Sequence, residues 1–198
     1  MKKMLSVCSV ILFFSLLAKA QHTSFGLKAG INASSVNVED GTDYDSKVGL
    51  HVGGLAHIHI TPHFAFQPEL VYSMQGGKDG DDNKLKLDYL NIPLLAQYMT
   101  HDGFRLETGP QVGFLTSAKA KSGDVEVDVK DDLESTDFSW VFGAGYLFPG
   151  AGGIGVDVRY NLGLSNISDD NSFEAKNRVF QIGVFYQFNK NQQTRRKR

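Results

Sequence analysis

Few residues in this chain have the type and spacing that catalysis or ligation requires. His51, His57 and His59 fall on one face of an alternating segment, and a His-x-His pair on a strand is a spacing that chelates zinc or copper. No clear third ligand accompanies them, so hydrogen bonding is the expected role and no metal or other cofactor is assigned. Asp79-Gly80-Asp81-Asp82-Asn83 has the composition of a calcium loop. It lacks the glycine needed at loop position six and puts Leu90 where position twelve needs glutamate, so it reads as a solvated acidic loop. Ser117, Ser122, Ser135 and Ser139 have no base nearby in the expected layout, and no catalytic residue is assigned. Cys8 is the only cysteine and lies in a leader, which leaves no thiolate or disulfide behind it. Six charges remain, namely Lys28, Glu69, Arg105, Glu107, Asp157 and Arg159. Their chemistry depends on which way they point.

The elements that carry these charges read as about eight strands. In the clearest, Ile154–Leu164, even positions are large and apolar while odd positions are glycine, charge or amide. A soluble β-sandwich or lipocalin-like barrel would pack the apolar face inward. An outer-membrane barrel presents it to lipid and fills its lumen with glycine and polar groups. Residues 1–20 form a secretory leader with basic Lys2 and Lys3, an apolar run from Met4 to Leu17, and a small-x-small cleavage site at Ala18-Lys19-Ala20. The expected organisation is therefore a leader at 1–20, a barrel domain at 21–189 and a basic tail at 190–198. Three of the leader residues are lysine, so its removal moves the formal charge from -2 to -5. Secretion leaves nucleic acid out of the candidate partners. No later stretch approaches the ~20 apolar residues of a spanning helix, but a barrel strand needs only ~9–11 alternating residues.

The alternation continues through the chain. Strands are expected at 25–33, 48–60, 64–74, 85–98, 104–114, 138–148, 154–164 and 178–188, with long loops at 75–84 and 116–136. Thr61–His63, His101–Gly103 and Pro149–Gly152 are short turns at one end, and the longer, acid-rich loops fall at the other. That asymmetry belongs to bacterial outer-membrane barrels, whose short turns are periplasmic. Aromatics mark two interfacial girdles: Phe64, Tyr98, Phe104, Phe148, Tyr186 and Phe188 beside the short turns, and Tyr72, Phe114, Phe138, Trp140 and Phe180 toward the loops. The fold class expected is all-β, an eight-stranded antiparallel up-and-down transmembrane barrel. Pro68, Pro93 and Pro110 fall inside strands, where each removes a ladder donor, and bulges are expected there.

Several stretches resemble the PorT-like outer-membrane β-barrel family. They are Phe25-Gly-Leu-Lys-Ala-Gly-Ile-Asn32, Phe66-Gln-Pro-Glu-Leu-Val-Tyr72, Asp88-Tyr-Leu-Asn-Ile-Pro-Leu94, Gly109-Pro-Gln-Val-Gly113, Arg159-Tyr-Asn-Leu-Gly-Leu164 and Arg178-Val-Phe-Gln-Ile-Gly183. The resemblance implies an eight-stranded barrel in the outer membrane and little about activity. It also makes the three prolines family features. One departure is that Phe188 is followed by ten polar and basic residues, whereas such barrels usually end on an aromatic that the insertion machinery reads.

With this orientation the six charges face a lumen just wide enough for side chains to fill. Ion pairing is the expected outcome, since isolated buried charge is costly. The expected function is non-enzymatic: a structural, adhesive or envelope-assembly role through long acidic external loops. A narrow channel for ions or small solutes is the alternative, followed by a loop-borne lipid-modifying enzyme. Expected partners are outer-membrane lipid and lipopolysaccharide, to which divalent ions would bridge the acidic rim, the barrel-insertion machinery, and an envelope protein or extracellular ligand.

Overall fold

The computed structural model describes residues 23–38, 45–79, 83–167 and 175–188. The expected leader and basic tail, the central part of the calcium-like stretch and most of the acids at 39–45 and 169–174 lie outside the described residues. The strands are β1 (Thr23–Val38), β2 (Asp45–His59), β3 (Phe64–Asp79), β4 (Asn83–Met99), β5 (Phe104–Ser122), β6 (Val125–Asp128), β7 (Thr136–Leu147), β8 (Ile154–Gly163) and β9 (Ala175–Gln187). Eight of them close in antiparallel succession, β5 pairing onward with β7 and β9 returning to β1. β6 is an extra ribbon that pairs with the outer end of β5. No described helix is long and apolar enough to cross a membrane, and a closed barrel crosses with strands whose backbone groups are satisfied between neighbours.

Side-chain direction follows the alternation. Trp140 and Val156 face outward and are each 38% exposed, whereas Asp157 and Arg159 are each 4% exposed inside. Phe25, Leu27, Ile31, Leu50, Phe142, Ile182 and Val184 continue the apolar exterior. In water such a surface would drive aggregation; in hydrocarbon it is the required one. Even the Trp140 indole is satisfied on that wall, donating to Thr108 Oγ1 at 2.8 Å. The short turns tighten on glycine where the backbone demands it. Gly103 has φ of +96°, and a Cβ there would meet the Leu147 carbonyl oxygen at 2.1 Å.

Two expectations need correction. The segments read as loops at 75–84 and 116–136 are largely strand: β3 runs to Asp79, β4 starts at Asn83, and β5 continues to Ser122 before β6 folds back on it. At 16, 17 and 19 residues, β3, β4 and β5 exceed the ~9–11 residues that span the bilayer, so this wall stands above the membrane. The prolines, moreover, do not produce bulges. Leu55 pairs with Glu69 and Ile58 with Phe66 in one register, so bridging lapses around Pro68 without a slip. The same lapse occurs between β3 and β4 at Pro93, and between β4 and β5 at Pro110. Each proline lacks its donor toward the preceding strand only, while Pro68, Pro93 and Pro110 stay paired with Leu94, Gln111 and Trp140 of the following one. A one-sided loss leaves register intact.

The register does shift elsewhere, between Ser46 and His51 on β2 and at Asp88/Tyr89 on β4. Asp88 pairs with Ser117 but Tyr89 pairs with Leu115, so Thr116 is the extra residue. Its hydroxyl donates to the Asp88 carbonyl at 2.8 Å. A slip of one reverses every later side chain. Leu115 and then Ala118 face inward, and Lys119 is turned out.

Candidate functional site

The closed lumen is the site these elements build, and it is layered along the barrel axis. Lys28 comes from β1, Glu69 from β3, Arg105 and Glu107 from β5, and Asp157 and Arg159 from β8; all six are buried. Glycines across the wall make the room. A Cβ on Gly143 would meet Glu107 Oε1 at 2.8 Å and Arg159 Cγ at 3.0 Å.

Arg159 is the hub. Its Nη1 and Nη2 donate to the two Glu69 oxygens at 2.7 and 2.8 Å, and its Nε donates to Glu107 Oε1. A guanidinium fork matches carboxylate geometry in this way, and charge-assisted bidentate bonds are the strong ones. Lys28 Nζ lies 3.4 Å from Glu69 and 3.3 Å from Asp157. Gln67 and Gln97 donate to the remaining faces of Glu69 and Glu107, each at 2.7 Å. Arg105 stands apart from this cluster, its guanidinium over the Phe185 ring at 4.9 Å. With Arg105 included, three cations and three anions are buried in the lumen, where an uncompensated charge would be expensive.

Toward the outside the charges give way to amides and hydroxyls. Asn32 accepts from Gln181 at 3.1 Å, donates to Ser73 at 2.8 Å and pairs with His51 Nδ1 at 2.7 Å. Gln75 joins Ser73 to Asn177, and Gln111 donates to Ser139 at 3.0 Å. Above them sits an apolar cap of Val36, Leu87, Tyr89, Leu115, Ala118, Ile167 and Ala175. Sequence reasoning missed this cap. Leu87, Tyr89 and Leu115 fall on inward positions of β4 and β5, but strands that carry apolar residues on both faces give no sign of which face is inside.

The histidines do not converge. His57 pairs with Gln67 at 3.0 Å and stacks edge-on with His59, ring centroids 4.5 Å apart, while His51 belongs to the amide layer. Among the described residues no group of three His, Cys, Asp or Glu is placed to hold a metal. Ser117, Ser122 and Ser135 belong to the outer ribbon and the approach to β7, whereas His57, His59, His63 and His101 lie toward the short turns. Ser139 is already engaged by Gln111. The aromatics expected in the girdles are exposed, and Phe64–Tyr98 and Tyr186–Phe188 form edge-on pairs 5.3 and 5.2 Å apart.

Solved structures share this architecture. Neisserial surface protein A aligns with 85% of this chain and 100% of its own at a TM-score of 0.58 and 14% identity. The attachment invasion locus protein Ail of Yersinia pestis aligns over the same shares at 0.52 and 14%. Ail in complex with the heparin analogue sucrose octasulfate aligns at 0.51 and 17%, again over 85% and 100%. At such identities the likeness shows the fold alone. No curated protein sequence matches the chain. Residues 19–169 match the model of the outer membrane protein beta-barrel domain. An apolar exterior, a buried polar interior and that match together place the protein in the bacterial outer membrane, as a member of the outer-membrane β-barrel domain family.

Proposed function

We propose that this protein is a non-enzymatic barrel of the PorT-like kind whose work is done by its outer surface, in a structural, adhesive or envelope-assembly role toward an envelope protein or extracellular ligand. The observation that carries this reading is the filled lumen. The Arg159–Glu69–Glu107 cluster occupies mid-barrel, and the apolar cap covers it. An eight-stranded barrel has no width to spare around such a plug. Meanwhile β3, β4, β5 and β6 invest many residues in a wall above the membrane, where a partner is met. The reading is supported by the name of Ail, the attachment invasion locus protein, whose barrel has this architecture. Insertion by the barrel machinery would use the internal Tyr186-Gln187-Phe188 aromatics.

A narrow channel is the second reading. It is favoured by Asn161, whose amide nitrogen and oxygen are both buried without a hydrogen-bond partner among the described residues, and such groups attract water. Planar-bilayer conductance of the full chain tests the choice. The expected result is no reproducible open state in wild type, and conductance after Arg159, Glu69 and Glu107 are all replaced by alanine. A stable open state in wild type would reverse the order.

A further inference from the structure

The outer ribbon brings lysines face to face. Lys78 on β3 pairs directly with Lys84 on β4, and Lys84 with Lys121 on β5; one row nearer the membrane, Lys86 pairs with Lys119. Residues opposite one another project from the same face with Cβ atoms ~5 Å apart, and like charges placed so destabilise a sheet. In the lower row the conflict is answered within the protein. Glu126 on β6 accepts from Lys86 Nζ at 2.6 Å and from Lys119 Nζ at 2.8 Å. In the upper row, Asp45 stands opposite Lys78 at one end and Glu126 opposite Lys121 at the other. Lys84, in the middle, has an ion pair with no described residue.

The direction of this strip tells what it meets. Lys84 and Lys86 share their face of β4 with Leu90, Ile92 and Leu94, which look into lipid, and Lys78 shares its face with Tyr72 and Met74. On β5 the extra residue Thr116 turns Lys119 and Lys121 to that same outer side. The strip therefore continues the lipid-facing wall upward and looks sideways, across the membrane surface. Lys78 and Lys84 lie six residues beyond Tyr72 and Leu90. At ~3.3 Å per residue and a ~40° tilt, that is about 15 Å above the outer girdle, with the Lys86–Lys119 row about 5 Å lower. Sugars and phosphates of a glycolipid reach that height; its acyl chains do not.

We propose that the Lys78–Lys84–Lys121 row, with Lys86 and Lys119 beneath it, binds phosphate groups of outer-leaflet lipopolysaccharide against the outer wall of the barrel. Ammonium groups are compact donors suited to phosphate, and an anion lying across the row converts cross-strand repulsion into attraction. A soluble sulfated glycan has the same charge, but it would be met by a surface facing the medium. This inference depends on the outer-membrane location and not on whether the lumen conducts. It also replaces a divalent bridge from an acidic rim by direct contact to lysine.

The test uses the full chain, folded and extracted from membranes that contain lipopolysaccharide, with retained lipopolysaccharide phosphate measured per protein at low and high salt. Wild type should retain it and lose most of it as salt screens the contact. The Lys78→Gln/Lys84→Gln/Lys121→Gln variant should retain at least about fivefold less, while Lys130→Gln, off the strip, should behave as wild type. Removing facing lysines relieves repulsion, so the triple variant should still show heat-modifiable gel mobility. If it does not, Lys84→Gln alone carries the comparison, with about a twofold loss expected. Retention equal to wild type in the folded variant, an equal loss in Lys130→Gln, or binding to a sulfated glycan with none to lipopolysaccharide would each overturn the proposal.

Discussion

At Arg159 one guanidinium closes the valence of two carboxylates from different strands, which makes it the residue whose loss the lumen tolerates least. Arg159→Met should destabilise the barrel by about 3–5 kcal/mol, because Glu69 and Glu107 would be left buried and under-compensated. Urea midpoints of folded protein in lipid vesicles check this. Adding Glu69→Gln and Glu107→Gln should restore much of the loss, and a triple variant no better than Arg159→Met would contradict the pairing. Outside the membrane, hydrogen bonds from Lys119 and then Lys86 hold the Glu126 carboxyl down to about 2 from its ordinary 4.5. A lowered folded-state value means the contribution is full above pH 4.5 and is lost as pH falls toward 2. Lys119, raised above 10.5 chiefly by its hydrogen bond to Glu126, shares that same contact, which is therefore present between the two limits and is lost again as pH rises beyond 10.5. A carboxyl NMR titration of Glu126 should give a midpoint near 2, returning toward 4.5 in Lys119→Gln. An unshifted wild-type midpoint would contradict the ribbon geometry. The inward placement of Lys28, Glu69, Arg105, Glu107, Asp157 and Arg159 was legible from parity alone. Their partners were not, since which strands face across a lumen is set by closure.

Among the elements, the eight spanning strands were legible because period-two alternation between lipid and lumen is imposed along their whole membrane length. The outer ribbon was not, for physical reasons. Gln75–Lys84 is rich in Gly and Asp, whose chemistry favours turns, and above the membrane no lipid forces one face to be apolar. A single added residue then breaks the parity that a reader follows. The inward positions of β5 are odd-numbered as far as Leu115 and even-numbered from Ala118, because Thr116 is inserted between them. Deleting Thr116 should carry Lys119 and Lys121 to the inner face, against Leu85 and Leu87, and loosen the ribbon. Limited proteolysis in intact vesicles should then cut near 119–128 at least about tenfold faster than in wild type, with the membrane-spanning core still protected. Equal cleavage would mean the bulge does not set the face. The prolines carry a related lesson. Sequence marks where a donor is missing, but only the pairing shows that one neighbouring strand loses it and the register survives.

For the whole molecule, one asymmetry organises the structure: oily side chains point out, charges point in, and the β3–β5 wall rises above the bilayer with its lysines turned sideways. Reversal of that asymmetry would give a soluble barrel with an oily interior and no reason for the aromatic bands. The sole cysteine, Cys8, lies in the proposed leader, so single-cysteine spin labels on β9 can read orientation directly. In lipid bilayers, labels at Ile182→Cys and Val184→Cys should be relaxed strongly by oxygen, which partitions into hydrocarbon. A label at Gln181→Cys, in place of one of the buried lumen amides, should be shielded from oxygen. This period-two pattern is the expected result; equal accessibility at all three positions, or the opposite alternation, would contradict the outward placement of the apolar side chains.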